Sequence, residues 1–184
     1  MLSLLCKQKP LFMKKFYIFI FSAFFGNFIY AQGEQLPENN FQPQFEAVYQ
    51  QFPGIPKGIL EAVAFTMTRF DHFDGSQAES CIGLPKVYTV MGLTADGKGY
   101  FRNNLTKVSQ LSGISPQEMI AHPYKAIWAY AKAFTVIAGQ KNISGKNPVS
   151  YLPVLTELSE LPNSTNIDKF CFRIAFVSNY DVFE

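Results

Sequence analysis

From residue 43 onward, apolar positions recur three or four residues apart, the spacing of helices with one buried side. Phe45, Val48, Tyr49 and Phe52 share a side of residues 43–52, and Pro53-Gly54 ends that segment. Pro56 suits the first turn of a second helix, whose apolar stripe runs through Ile59, Leu60, Val63, Ala64, Met67 and Phe70. Residues 71–86 are rich in turn formers, and a compact segment follows from Tyr88 to Leu93 before a turn at Asp96–Gly99. Phe101, Leu105, Val108 and Leu111 predict a helix over 100–112, with Gly113 as its left-handed stop. Ser115-Pro116-Gln117-Glu118 has the form of a capping box with proline at the first helical position. Ile127, Ala131, Phe134 and Ala138 predict a helix over 123–138 that Gly139 ends. Residues 148–161 are helical by pattern, and Pro153 must kink or restart them. The apolar run FCFRIAFV near the C-terminus reads as a strand, a helix, or the beginning of a further element.

These elements predict an all-α fold of five or six short helices. The helical domain is expected over 42–140, with 141–184 as a connector and tail. There is no internal repeat and no low-complexity tract.

The first 31 residues follow a different pattern. From Met13, Lys14 and Lys15 precede an apolar run from Phe16 to Phe25, and Ala31 stands before the polar stretch 32–41. That is the layout of a cleaved secretory signal. The run is interrupted by Gly26-Asn27 and falls short of the ~20 residues a membrane-spanning helix needs, so cleavage is the expectation and a retained N-terminal anchor the alternative. The expected product is exported to the periplasm or cell surface, begins near Gln32, and keeps no stable membrane span. Met13 already opens a complete signal, so it is the expected true start.

Cleavage changes the charge. The segment carries four of the 16 basic residues and none of the 14 acidic ones, which leaves a mature chain at −2. The pI near 8.4 therefore belongs to the signal, and no basic surface remains to suit nucleic acid. Cys81 and Cys171 are the cysteines left. In an oxidising compartment they either pair across a long loop or stay as two buried thiols. His72 and His122 have no Cys or His at ligand spacing, so neither a metal site nor a cofactor is expected.

Four segments come in a familiar order: Ile55-PKGILEAVAFTMTR-Phe70, Tyr88-TVMG-Leu93, Tyr100-FRNNLTKVSQLSGIS-Pro116 and Ala126-IWAYAKA-Phe134. Together they resemble the lysozyme-like domain of lytic transglycosylases. More closely, they resemble the domain that precedes the zinc domain in some exported N-acetylmuramoyl-L-alanine amidases. The resemblance implies a small lysozyme-like helical fold and contact with peptidoglycan glycan strands. It also implies a catalytic glutamate late in the first long helix, whose apolar setting keeps it protonated. Aligned on that motif, the glutamate position holds Met67. The family's Gly-Leu-Met-Gln segment becomes Thr89-Val90-Met91-Gly92, and its Ala-Tyr-Asn motif becomes Ala129-Tyr130-Ala131. Packing residues are kept while the acid, the amide of Gln and the amide of Asn are gone, the pattern of a pseudo-enzyme with no catalytic residue.

Substitute acids are weak candidates. Glu61 lies six residues before Met67, ~120° around the helix and ~160° from Val63, so it is expected to face solvent with an ordinary pKa. Asp71, Asp74 and Glu79 follow the helix, where solvated loop charges are the simpler reading. The resemblance places Tyr88, Tyr100 and Tyr130 along the sugar groove. A tyrosine ring can stack on a pyranose while its hydroxyl bonds sugar oxygens; core packing is the alternative, favoured for Tyr88. Arg69 would meet a carboxylate, or cap its helix. Met91 completes the glycan-binding candidates with Arg69, Tyr100 and Tyr130. The zinc domain of that family needs histidine ligands, and no histidine follows position 140; residues 151–184 resemble the connector that leads into it. The leading expectation is a non-catalytic cell-wall module. The alternatives are an active muramidase or transglycosylase with a displaced acid, and a surface or assembly protein using the fold as a scaffold.

Overall fold

The computed structural model describes residues 38–78, 81, 83–96, 102–160 and 174. Among them the chain forms six α-helices, one 3-10 turn and a minimal β-hairpin, a small all-α domain.

Helix α1 (Gln42–Gln51) carries proline in its first turn and buries Phe45, Val48 and Tyr49, as the apolar spacing predicts. Helix α2 (Ile59–Thr68) enters through Gly58 at φ 85° and ends on Arg69 at φ 57°. It is not amphipathic in the expected sense. Every residue from Ile59 to Ala64 is buried, Glu61 included, because a helix apolar on all sides is enclosed on all sides.

Strands β1 (Val87–Tyr88) and β2 (Leu93–Thr94) pair antiparallel, with Val87 opposite Thr94 and Tyr88 opposite Leu93. The four residues between them, 89–92, are the hairpin's tip.

Helix α3 (Asn104–Ser112) starts later than the predicted position 100; Arg102 and Asn103 lie outside it. The start is set by a tertiary bond. Asn104 Oδ1 accepts from the Thr94 N–H at 2.7 Å and from its hydroxyl at 3.1 Å, while Nδ2 donates to the Leu158 carbonyl at 3.2 Å. One buried amide thus ties the hairpin to the start of α3 and to the last helix. Gly113 ends α3 at φ 80°, as expected. Helix α4 (Pro116–Ala121) opens on the full reciprocal capping box of Ser115 and Glu118.

Helix α5 (Pro123–Gln140) packs against α1, α3, α4 and the final helix, and is the hub of the core. Gly139 does not stop it. The left-handed residue is Asn142 at φ 54°, and the Ile143 N–H reaches the Ala138 carbonyl at 2.9 Å while the Asn142 N–H reaches Gly139 at 3.1 Å. That is a Schellman closure with asparagine in place of glycine.

The 3-10 turn at Pro148–Tyr151 leads into α6 (Leu152–Ser159), with Pro153 in its first turn, so the proline restarts the helix. Both belong to the main core. The Tyr151 ring stacks on Phe134 at 5.2 Å, its hydroxyl donates to the Gly54 or Gly145 carbonyl (3.1 Å each), and Val154, Leu155 and Leu158 are buried. Residues 148–159, read from sequence as connector, therefore complete the domain. Among the described residues no helix is long and apolar enough to cross a membrane. The segment 1–31, expected from sequence to be an export signal, and the C-terminal apolar run, Ile174 apart, lie outside the described residues.

Candidate functional site

Met67 sits in the last turn of α2, half-buried, and points at the hairpin tip. Gly92 lies directly against it. A Cβ added to Gly92 would collide with the Met67 Cβ and would lie 3.1 Å from its Cγ and 3.2 Å from its Cε. Gly92 also holds φ 67°, a left-handed conformation that disfavours a side chain. The two positions that the resemblance assigns to acid and amide are thus neighbours in space, and the methionine fills what the glycine leaves open.

The backbone around this contact is held in place from several directions. The Thr68 hydroxyl lies 2.8 Å from the Ala64 carbonyl and 2.7 Å from the Val90 carbonyl, locking the end of α2 to the tip. The Thr89 N–H donates to Phe73 at 2.7 Å, and its hydroxyl accepts from the Met91 N–H at 3.2 Å. Three non-glycine residues here adopt positive φ: Arg69 at 57°, Phe70 at 66° and Thr89 at 63°. A fully buried, β-branched Thr89 in that region is an outlier. Each such residue costs on the order of 1–3 kcal/mol and persists only where its surroundings enforce it.

Arg69 is exposed, its guanidinium 4.3 Å above the centre of the Phe65 ring. Phe65 in turn leans on Phe70 at 5.7 Å. Of the other glycan-binding candidates, Met91 is 1 % exposed and Tyr130 is 5 % exposed; both pack in the core and offer no face to a sugar. Tyr88 is half-buried, its ring lying over Gly75. Ala131 is fully buried. Tyr100, Glu79 and Cys171 lie outside the described residues, and Cys81 is exposed.

The loop acids do not have the environment of a proton donor. Asp71 and Asp74 are exposed. Hydrogen bonds from Ser76 hold the Asp74 carboxyl below its ordinary range, the opposite of what a general acid needs.

Glu61 corrects the sequence reading outright. It is 3 % exposed, and the Tyr49 hydroxyl donates to its Oε2 at 2.5 Å while accepting from the Leu60 N–H at 3.0 Å. Burial pushes the Glu61 carboxyl up, opposed by the Tyr49 hydrogen bond and by the backbone N–H groups of Glu61 and Gly58. Tyr49 is raised well above its usual value, first by burial and then by Glu61. A buried carboxyl with a raised pKa is a feature of catalytic sites, yet this one is sealed between α1 and α2 and engaged to Tyr49. The available signal was α2 itself: ILEAVAFTMT carries no polar side that could have turned Glu61 to water.

His72 lies 2.7 Å through Nε2 from the Ile120 carbonyl, joining the loop after α2 to α4. Among the described residues no three His, Cys, Asp or Glu side chains form a group that could hold a metal. No protein-family model matches this chain, and comparison with curated proteins and with solved structures yields no significant similarity.

Proposed function

We propose that this chain is an exported, catalytically silent lysozyme-like module that contacts the glycan strands of peptidoglycan. It would be of the kind that accompanies N-acetylmuramoyl-L-alanine amidases. The observation that carries the reading is the contact of Met67 with Gly92. It joins the two positions where the resemblance expects an acid and an amide, within a strained backbone tied down by Thr68 and Thr89. Strain of this kind gathers at functional sites, and here it surrounds a thioether and a bare glycine. A thioether carries no proton to give a glycosidic oxygen, so binding remains and bond cleavage does not. Arg69 is the exposed cation of the site, available to a carboxylate of the peptide stem.

The reading is tested with purified sacculi. The chain is expected to co-sediment with them, and to release no soluble muropeptides over a long incubation. Release that is lost on changing Asp71 or Asp74 would overturn the silent-module reading. On export, mass spectrometry is expected to find an N-terminus at Gln32, within two residues; an intact Met1 or Met13 would refute cleavage.

A further inference from the structure

A second surface, built from other elements than the Met67–Gly92 contact, has the chemistry of a sugar platform. Tyr124 and Trp128 stand one turn apart on α5, and Gln51 and Phe52 end α1 beside them. The Trp128 indole N–H donates to Gln51 Oε1 at 2.9 Å, and Gln51 Nε2 donates to the Tyr124 hydroxyl at 2.8 Å. Phe52 braces the indole edge-on, with ring centres 5.4 Å apart at 68°. The result is a hydrogen-bonded row of ring, amide and ring.

Stability alone does not account for this row. Gln51 is exposed and Tyr124 is 38 % exposed. Hydrogen bonds among exposed groups add little net stability, because water competes for the same donors and acceptors and the side chain must be held in one rotamer. What the row does achieve is to hold two aromatic side chains in fixed positions with a polar group between them. None of its three residues is charged, nor is Phe52, and the adjacent Lys125 is occupied by Glu118 at 2.5 Å. The Tyr124 hydroxyl accepts from Gln51 and keeps its own proton to donate. A neutral ligand with an apolar face and a hydroxylated rim matches this surface, and a charged one does not.

We propose that Gln51, Tyr124 and Trp128 form a pyranose-binding platform, a second contact for an uncharged stretch of glycan strand. The choice of a glycan rests on the module reading above, while the platform itself rests on the geometry of these residues. A module that does not cut its substrate can hold a strand at two separated points, and binding at one raises the effective concentration at the other.

The chain contains a single tryptophan, so its fluorescence reports on this surface alone. Titration with the tetramer of N-acetylglucosamine is expected to give a saturable change in Trp128 emission. Tyr124→Ala, an exposed change that should leave the melting temperature unaltered, is expected to weaken the tetramer about two- to tenfold, since aromatic contacts are worth about 0.5–1.5 kcal/mol and 1.4 kcal/mol is tenfold. An unchanged emission at saturating tetramer, or equal binding by Tyr124→Ala, would overturn the platform. Sacculus co-sedimentation separates the two readings. If the chain binds sacculi but its emission ignores the tetramer, the platform fails and the module stands; if it binds neither, both fail.

Discussion

Replacing Tyr49 by phenylalanine removes one oxygen that bonds two buried groups. The Leu60 N–H loses its acceptor, and the Glu61 carboxyl loses its closest donor. An unsatisfied buried polar group costs about 1–3 kcal/mol, more if charged, so the variant should lose about 2–5 kcal/mol at pH 7. The loss should also depend on pH. Burial raises the folded pKa of Glu61, so the stability linked to its protonation is fully present below the unfolded value of about 4.3 and fades as pH rises through the folded value. Taking away the Tyr49 donor raises the folded value further, so this fading covers a wider window in Tyr49→Phe than in the parent. The difference in unfolding free energy between the two should therefore be smaller at pH 4.5 than at pH 7. Urea unfolding at both values measures it. Repeating the substitution in a Glu61→Gln background removes the titrating group while leaving Asp74, Glu118 and Glu157, whose pKa values are lowered, common to both arms. There the cost of Tyr49→Phe should no longer vary with pH. A loss under about 0.5 kcal/mol at pH 7, far below that of an orphaned buried group, would refute the buried pair. Equal losses at both pH values in the Glu61 background would refute the titration.

Three further substitutions probe the site and its supports. Gly92→Ala should cost about 2–5 kcal/mol, from a left-handed alanine and from overlap with Met67; Met67→Ala in the same chain should not rescue it, because alanine keeps the Cβ that collides, and a full rescue in a thermal melt would refute the contact. Met67→Glu should cost less than about 2 kcal/mol, since a half-buried position lets the carboxylate reach water, and a loss as large as that of burying an unpaired charge would mean the groove is closed. Asn104→Ala should lose about 2–4 kcal/mol by orphaning the Thr94 N–H and the Leu158 carbonyl, and near-parental unfolding in urea would show that the amide does not hold these elements together.

The sequence by itself determined what depends on neighbours along the chain. The helices α1, α4 and α5, the capping box of Ser115 and Glu118, the stop at Gly113 and the restart at Pro153 each follow from a few adjacent residues with known backbone preferences. What the sequence could not supply was which residues meet across it. Helix α2 looks amphipathic because Val63, Met67 and Phe70 line up, yet its other side is buried too, and Glu61 is taken up by Tyr49 of α1, twelve residues away. The start of α3 waits on Thr94 and Leu158, and the end of α5 passes Gly139 because Asn142 supplies the left-handed turn and Ile143 closes it. Gln51 reaches Tyr124 and Trp128 across more than seventy residues. Helical periodicity reports that a side is apolar, but the depth of burial and the partner of a polar group are set by the elements packed against it. Only the tertiary structure decides those, because burial energy and hydrogen-bond satisfaction are properties of the enclosed space and not of any local segment.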